Sequence, residues 1–316
     1  MVVSRNFIRG LLPRRMRQSS LRRGRKLLNR FGCDLLNALD PIDLRGLGLN
    51  VEEAQQRAGR LPFVIDVPVE HVRHMGAAAF PIDLSGGSPF VDTAFQYLHN
   101  PDLTYEGSAL KVYYDSFQPQ DVGDFLGLPR SPDRHFLLNQ HRVLTFFPWQ
   151  RPPLKDYQHH IASRLSGVTL ENEEHGVKLD HSHGLVASGP VSPQKGELEL
   201  LRIKRVVNSL RKEGFRIAPN VTPIRVQALR HGDAFRYFCR AGNHRSTTFV
   251  ALGGTALPVW PYPTVVNRDD VDRWPGVVEK VFTRDEALFV FDRVFEGRQP
   301  DPALTRPVSA DKAFSG

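Results

Sequence analysis

Large apolar residues recur every three or four positions between residues 196 and 213, which is the spacing of one face of an α-helix. They are Leu200, Ile203, Val207 and Leu210. Gly214 follows them, and glycine is the residue that most often ends a helix. The pattern therefore predicts an amphipathic helix over Gly196–Glu213.

Beyond this helix the apolar residues alternate with polar ones, which is the period of a half-buried strand. The predicted elements are a strand at Ile224–Ala228, a turn at His231–Asp233, a strand at Phe235–Arg240, a helix at Ser246–Leu252 ended by Gly253 and Gly254, and a strand at Leu257–Trp260. One or two short helices are expected between Trp274 and Phe295. This order predicts an α+β fold with a small mixed sheet in the C-terminal half.

Residues 31–160 are rich in proline and aromatic residues and show little sustained periodicity, so they predict an irregular α+β region. Helical spacing occurs at Val51–Arg60, Phe90–Leu98 and Leu110–Phe117, the last with Ser108 as its N-cap, and strand-like runs occur at Phe63–Val69 and Arg142–Phe147. No motif in this region assigns a function to it.

The composition limits the classes of protein to which this chain can belong. Hydrophobic residues make up 41% of the chain and charged residues 24%, as in folded globular proteins, and no apolar run is long enough to cross a bilayer. Two cysteines, Cys33 and Cys239, cannot form a disulfide framework, and the opening segment lacks the apolar core of a secretory signal. These features lead us to expect a cytoplasmic protein with Cys239 as a small buried hydrophobe.

The positive charge is concentrated in the first 30 residues, which contain ten Lys and Arg and no acidic residue. Since the whole chain carries +8, the remaining residues carry a net charge of −2. Three interpretations stay open: a segment that lies on the anionic inner face of a membrane, a solvated basic extension, and a non-specific nucleic-acid contact.

The stretch Gly242–Arg245 has the chemistry of an anion site. Gly242 can adopt a positive φ, and the chain then enters a helix whose first amides and dipole favour negative charge. Arg245 offers a planar fork for phosphate oxygens, while Asn243, His244, Ser246 and Thr247 carry further polar groups. Taken alone, the same residues are more typical of a simple helix-capping turn than of a phosphate site.

Several motifs resemble those of the ParB/sulfiredoxin superfamily. They are Gly189-Pro190-Val191-Ser192, Ala241-Gly242-Asn243-His244-Arg245, Ala251-Leu252-Gly253, Leu257-Pro258-Val259 and Trp274-Pro275, all within about residues 178–295. The pattern is most similar to bacterial ParB-like proteins of uncharacterised role. The resemblance implies that 161–264 form a phosphate-binding domain. Charge and composition set apart a basic tail at 1–30 and a region at 31–160 before it, and helices and a tail at 265–316 are expected after it.

The resemblance also implies nucleotide chemistry. In the superfamily this turn binds nucleotide phosphates, and members include a CTP-hydrolysing DNA clamp, an ATP-using sulfinic acid reductase and free amino acid kinases. Asn243 stands where the reductase has its cysteine, and no helix-turn-helix region follows, so sulfinic acid reduction and centromere-type DNA binding are not expected. The implied cofactors are a nucleoside triphosphate, ATP or CTP, and Mg²⁺.

The residues implied for catalysis are Glu199, Glu197 and His244, because kinase relatives hold an acidic residue at the start of the helix after Gly-Pro-Val-Ser. Both glutamates also suit a plain role at a helix start. His181 and His183 have no further ligand at convincing metal-site spacing, so we interpret them as loop residues and predict no metal site in the protein itself.

The expected function is binding of a nucleotide or phosphorylated substrate at Gly242–Arg245, with phosphotransferase or NTPase activity as its catalytic form. The alternative is a non-catalytic protein of the membrane surface, linked to the synthesis of cell-surface polysaccharide or lipid. A nucleic-acid-binding protein is a third interpretation.

Overall fold

The computed structural model describes residues 41–84, 87–216 and 223–301. The interpretations of residues 1–30 therefore concern a segment outside the described residues. The chain divides into two compact units, Met1–Ile65 and Asp66–Gly316. Residues 66–160, which the sequence analysis separates from the C-terminal half, belong to the same unit as that half.

The described part of the first unit contains a short parallel pair of strands and one helix. Strand β1 (Ile42–Asp43) pairs with the start of β2 (Phe63–Pro68), the strand that contains the boundary between the units. Helix α1 (Val51–Ala58) begins with a capping box in which Asn50 and Glu53 bind each other's backbone amides. The helix and strand predicted here are confirmed.

The second unit is built on a mixed sheet. Its strands are β3 (Val72–His74), β4 (Phe80–Pro81), β5 (Arg225–His231), β6 (Ala234–Ala241) and β7 (Ala256–Asn267). They lie in the order β7-β5-β6-β3-β4, with β5 antiparallel to β6 but parallel to β7, and β3 parallel to β6. Together with the helices, this sheet confirms the predicted α+β fold class.

The second unit also contains helices. They are α2 (Pro89–His99), α3 (Ala109–Ser116), α4 (Val122–Leu126), α5 (Tyr157–Glu174), α6 (Pro193–Glu213), α7 (Asn243–Ala251), α8 (Pro275–Val278) and α9 (Arg284–Glu296). Helix α7 packs against both α2 and α6, which also pack against each other. Within the described ranges, no helix has the length and apolar character needed to span a bilayer.

The predicted strand at Arg142–Phe147 is wrong. Its first part is a 3₁₀ helix, Arg142–Leu144, which His141 caps by accepting the amide hydrogen of Val143 on its Nδ1. Thr145 Oγ1 donates to the carbonyl oxygen of Arg142 at 2.6 Å. These local hydrogen bonds satisfy the backbone within the turn, so the apolar, β-branched residues have no ladder to join.

Residues of the Gly-Pro-Val-Ser and Trp-Pro motifs make close packing contacts in the structure. A Cβ added to Gly189 would lie 1.8 Å from the carbonyl oxygen of Tyr114, so this position has no room for a side chain. The hydroxyls of Tyr113 and Tyr114 donate to the carbonyls of Ala187 and Val186, which fixes the same loop to α3. Trp274 is buried and belongs to an aromatic cluster with Trp149 and Phe291.

Candidate functional site

Gly242 forms the turn from which α7 begins. Its φ is +88°, a left-handed conformation that glycine adopts without the strain of a side chain. A Cβ at this position would lie 2.9 Å from Cγ1 of Ile224, so the close approach of β5 also requires glycine. The helix begins at Asn243, three residues earlier than the pattern predicts.

The first turn of α7 has the donors of an anion site. No side chain caps this end of the helix, and the first hydrogen bond along its axis runs from the Ser246 amide to the carbonyl of Gly242. The amides of Asn243, His244 and Arg245 come before that bond, at the positive end of the helix dipole. The amides of Asn243 and His244 therefore lie together at the positive end of the helix dipole, where an anion is favoured.

Three of the polar side chains predicted to bind the ligand form hydrogen bonds within the protein. Asn243 Oδ1 accepts the amide hydrogen of Met75 at 3.2 Å. The hydroxyls of Ser246 and Thr247 are fully buried, and both donate to the carbonyl oxygen of Asn243. These hydrogen bonds hold the first turn in place.

Arg245 is the third residue of α7. Its Nη2 donates to the carbonyl oxygen of Arg216 at 2.9 Å, and its guanidinium lies 4.7 Å from the ring centre of Phe215. Partial burial lowers the pKa of this guanidinium from its ordinary value. The side chain thus brings a cation to the edge of the turn, with part of its fork engaged by the protein.

The strongest polar feature near the turn is the buried carboxylate of Glu199. It has no exposed surface. It forms an ion pair with Lys195 Nζ at 2.7 Å and accepts hydrogen bonds from Arg202 Nη1 at 2.9 Å and His244 Nε2 at 3.2 Å. The outer ends of this network are Asn172, which binds Lys195 at 2.6 Å, and Glu171, which binds Arg202 at 2.5 Å. Helices α5, α6 and α7 therefore meet at one carboxylate.

The electrostatics define what Glu199 can do. Burial alone would raise its pKa, but the hydrogen bond from His244 and the charges of Arg202, His244 and Lys195 hold the pKa well below its ordinary value. A carboxylate that remains ionised under these conditions is a poor proton acceptor. Because it can only accept hydrogen bonds, it requires a proton on Nε2 of His244 and leaves Nδ1 of that ring for another partner.

The other predicted residues lie elsewhere. Glu197 is exposed, and no described contact joins it to the Glu199 network. His183 Nδ1 hydrogen-bonds to Ser192 Oγ, the N-cap of α6, at 2.8 Å, while His181 is exposed in a turn capped by Asp180. The described portion of the chain contains no group of three His, Cys, Asp or Glu side chains placed to hold a metal ion.

Lys195 and Arg202 were missed by the sequence analysis. They lie four residues before and three residues after Glu199, spacings that place all three side chains on one face of α6. Such ion pairs are common on exposed helix faces, so the sequence does not show that this one is buried. The sequence offered one signal of this burial: the three charged residues lie along the apolar face of α6.

His74 is a second buried histidine near the turn. Its Nε2 hydrogen-bonds to Ser88 Oγ at 2.6 Å, and its ring contacts Phe80 and Phe90, the latter also an edge-on neighbour of His244. Burial, with a smaller contribution from the charge of His244, lowers the pKa of His74 to about 3. His74 is therefore neutral in the folded protein at physiological pH.

The His74 environment predicts a loss of stability at mildly acid pH. The folded-state pKa of about 3 lies below the unfolded value of 6.5, so the unfolded chain binds the extra proton as the pH falls through 6.5. At pH 5 this linkage costs about 2 kcal/mol relative to pH 7.5. We expect His74→Leu to remove that share of the pH dependence, whereas His99→Leu, at an exposed position, should retain it. Chemical denaturation at both pH values measures this, and identical pH dependence in His74→Leu and the parent would contradict it.

Comparisons with known proteins give no assignment. No family model matches the chain, and neither a curated protein nor a solved structure matches it.

Proposed function

We propose that this protein binds a nucleoside triphosphate through its phosphates at the first turn of α7. The observation that carries the proposal is the uncapped start of this helix behind Gly242, next to a histidine fixed by the buried Glu199. Helix amides and a guanidinium are donors that suit phosphate oxygens, and His244 can add a donor through Nδ1 when its ring carries the second proton.

The network around Glu199 explains how such a site can be rigid. His244 cannot rotate freely, since its Nε2 is bound to a carboxylate that Lys195 and Arg202 hold in turn. The imidazole can therefore meet a phosphate oxygen without first losing rotamer freedom, which reduces the entropic cost of binding. Glu199 acts in this proposal as a positioning residue rather than as a base.

The resemblance to the ParB/sulfiredoxin superfamily supports the same ligand class, because it places the phosphate turn at Gly242–Arg245. ATP and CTP are the first nucleotides to test. The described residues offer no acidic cluster for a resident cation, so we propose that Mg²⁺ arrives with the phosphates.

Turnover of the nucleotide, by hydrolysis or phosphoryl transfer, is the catalytic form of the proposal. His244 Nδ1 is the protein atom best placed to exchange a proton near a bound phosphate, because Nε2 is held by Glu199. Glu197, exposed on α6, remains a catalytic residue predicted from the sequence.

Arg245→Glu tests the binding site without removing the helix. A glutamate in the first helical turn interacts favourably with the helix dipole, whereas its charge repels phosphate. We therefore expect nucleotide affinity to fall by about 30-fold or more, while the melting temperature changes little. The matched control is Arg273→Glu, which makes the same change of charge at a side chain that is 87% exposed.

Calorimetric titration with ATP and CTP, each with and without Mg²⁺, provides the measurement. Equal affinity in the parent, Arg245→Glu and Arg273→Glu would place any nucleotide site elsewhere. An absence of binding by the parent at millimolar nucleotide would reject the proposed ligand.

A further inference from the structure

Three arginines and two aromatic residues form a second cationic surface, separate from the contacts that Glu199 and His244 make. They come from α5, β5, β6 and β7. The members of this arginine–aromatic patch are Arg164, Arg225, Arg240, Trp260 and Tyr262.

The centre of the patch is a stack of planar groups. The guanidinium carbon of Arg225 lies 4.9 Å from the ring centre of Trp260 and 4.5 Å from that of Tyr262. Arg225 and Trp260 are direct neighbours in the parallel pairing of β5 and β7, so the sheet itself sets this arrangement. Trp260 is buried beneath the stack, whereas Tyr262 is partly exposed.

Arg164 and Arg240 extend the positive charge beyond the stack. Arg164 Nη1 donates to the carbonyls of Val143 and Thr145 at 2.8 and 3.0 Å, which fixes its exposed guanidinium. Arg240 precedes Ala241, the residue paired with Arg225, so the sheet brings it next to the stack on Tyr262. Its guanidinium carbon lies 5.8 Å from the ring centre of Phe238, which packs edge-on against Phe147, close to the turn that Arg164 holds. Partial burial and the charge of Arg240 lower the pKa of Arg164, in agreement with this arrangement.

No Asp or Glu within the described residues forms an ion pair with Arg164 or Arg240. Bringing two such cations together costs electrostatic free energy, which an anion bound between them would recover. Their chemistry matches a ligand that carries more than one negative charge.

We propose that the arginine–aromatic patch binds single-stranded nucleic acid, with phosphates on Arg164 and Arg240 and a base on Tyr262. A single strand presents phosphates and unpaired bases in alternation, and proteins bind it through cationic surfaces with aromatic side chains on which the bases stack. A duplex keeps its bases stacked internally and offers nothing to Tyr262. The inference is independent of the nucleotide site at α7.

The first test is the salt dependence of binding by the full chain. Fluorescence anisotropy with labelled oligo(U) and oligo(dT) of about 12 nucleotides would be recorded between about 50 and 200 mM salt. Losing two phosphate contacts in Arg164→Gln/Arg240→Gln should reduce the slope of log affinity against log salt by about 1.4, since each contact on a single strand contributes about 0.7. The two oligonucleotides show whether RNA or DNA is preferred.

The matched control is Arg273→Gln/Arg284→Gln, which removes the same two charges from exposed ion pairs with Asp270 and Asp272. Its slope should equal that of the parent. Because Arg164 also fixes a backbone turn, Arg240→Gln alone serves as a second variant, with an expected reduction of about 0.7. Tyr262→Ala should weaken binding about tenfold, and Tyr262→Phe should retain it.

Ultraviolet cross-linking of the full chain locates the contact. Cross-linked peptides containing Tyr262 or Trp260 would support the proposal, and cross-links confined to residues 1–30 would overturn it. Salt slopes that are equal in the parent and both arginine variants would also overturn it. So would a loss of binding to phosphatidylglycerol vesicles in these variants with unchanged binding to both oligonucleotides, since the surface would then be a lipid contact.

Discussion

Replacing Glu199 with glutamine is expected to lower the free energy of unfolding by about 3–5 kcal/mol. The carboxylate is fully buried and neutralises Lys195 and Arg202, whose side chains are 1% and 9% exposed. A glutamine has the same shape but leaves these cations without their shared counter-ion. Its NH₂ group is a hydrogen-bond donor that would face the donor groups of Lys195 and Arg202. Removing one partner of a buried ion pair is far more costly than removing an exposed one.

Glu197→Gln is the matched control, because it makes the same substitution two residues earlier on α6 at an exposed position. It should change the free energy of unfolding by less than about 0.5 kcal/mol. Urea denaturation followed by far-ultraviolet circular dichroism gives both values. If the two variants were equally stable, Glu199 would not be the centre of a buried charge network.

Arg293→Met is expected to destabilise the second unit by about 3 kcal/mol. The Arg293 side chain is buried in α9 and donates to three backbone carbonyls: Ala77 at 2.7 Å, Arg298 at 2.8 Å and Leu126 at 3.1 Å. Burial, together with the charge of Arg298, lowers its pKa to about 9. Methionine fills much of the volume but leaves the three acceptors without this donor.

Arg284→Met is the control for this effect, since Arg284 lies on the same helix with its side chain 56% exposed. Its ion pair with Asp272 should contribute less than about 1 kcal/mol. Thermal unfolding at neutral pH compares the two variants. Equal melting temperatures for Arg293→Met and Arg284→Met would show that the three carbonyls find other partners.

Local chemistry was sufficient to predict several elements. The apolar spacing of α6, the Ser108 cap of α3 and the alternation along β5 each depend on residues close in sequence. Helix α5 was not predicted, because its sequence lacks a clear apolar stripe and only Asn172 is buried along it. The 3₁₀ turn at Arg142–Leu144 was mistaken for a strand, because side-chain hydrogen bonds decided a conformation that apolar periodicity did not.

The pairing of strands that lie far apart in the sequence was not predicted either. Strand β3 has three residues, too few to show a period, and it pairs with β6 more than 160 residues later. This pairing places residues near 75 next to α7, where the Met75 amide binds Asn243. A division of the chain near residue 160 follows from composition, whereas the sheet joins segments from both sides of that point.

The candidate site was predicted in part. Gly242 and the helix behind it follow from the residues themselves, and the pairing of Glu199 with His244 joins two residues that the resemblance had selected separately. The roles of the side chains depend on burial, which the sequence does not reveal. In the structure, the hydroxyls of Ser246 and Thr247 form hydrogen bonds within the turn. Lys195 and Arg202 belong to the Glu199 network, although the sequence analysis did not select them.

The position of the phosphate at the start of α7 can be tested directly by nuclear magnetic resonance. The chain has 12 histidines, so ¹⁵N-histidine labelling gives a simple amide spectrum in which the signal of His244 is assigned by its absence from His244→Gln. Titration with ATP or CTP should shift the His244 amide more than the other histidine amides, because this N–H would donate to the phosphate. Saturable binding that leaves the His244 amide unchanged would contradict a phosphate site at the first turn of α7.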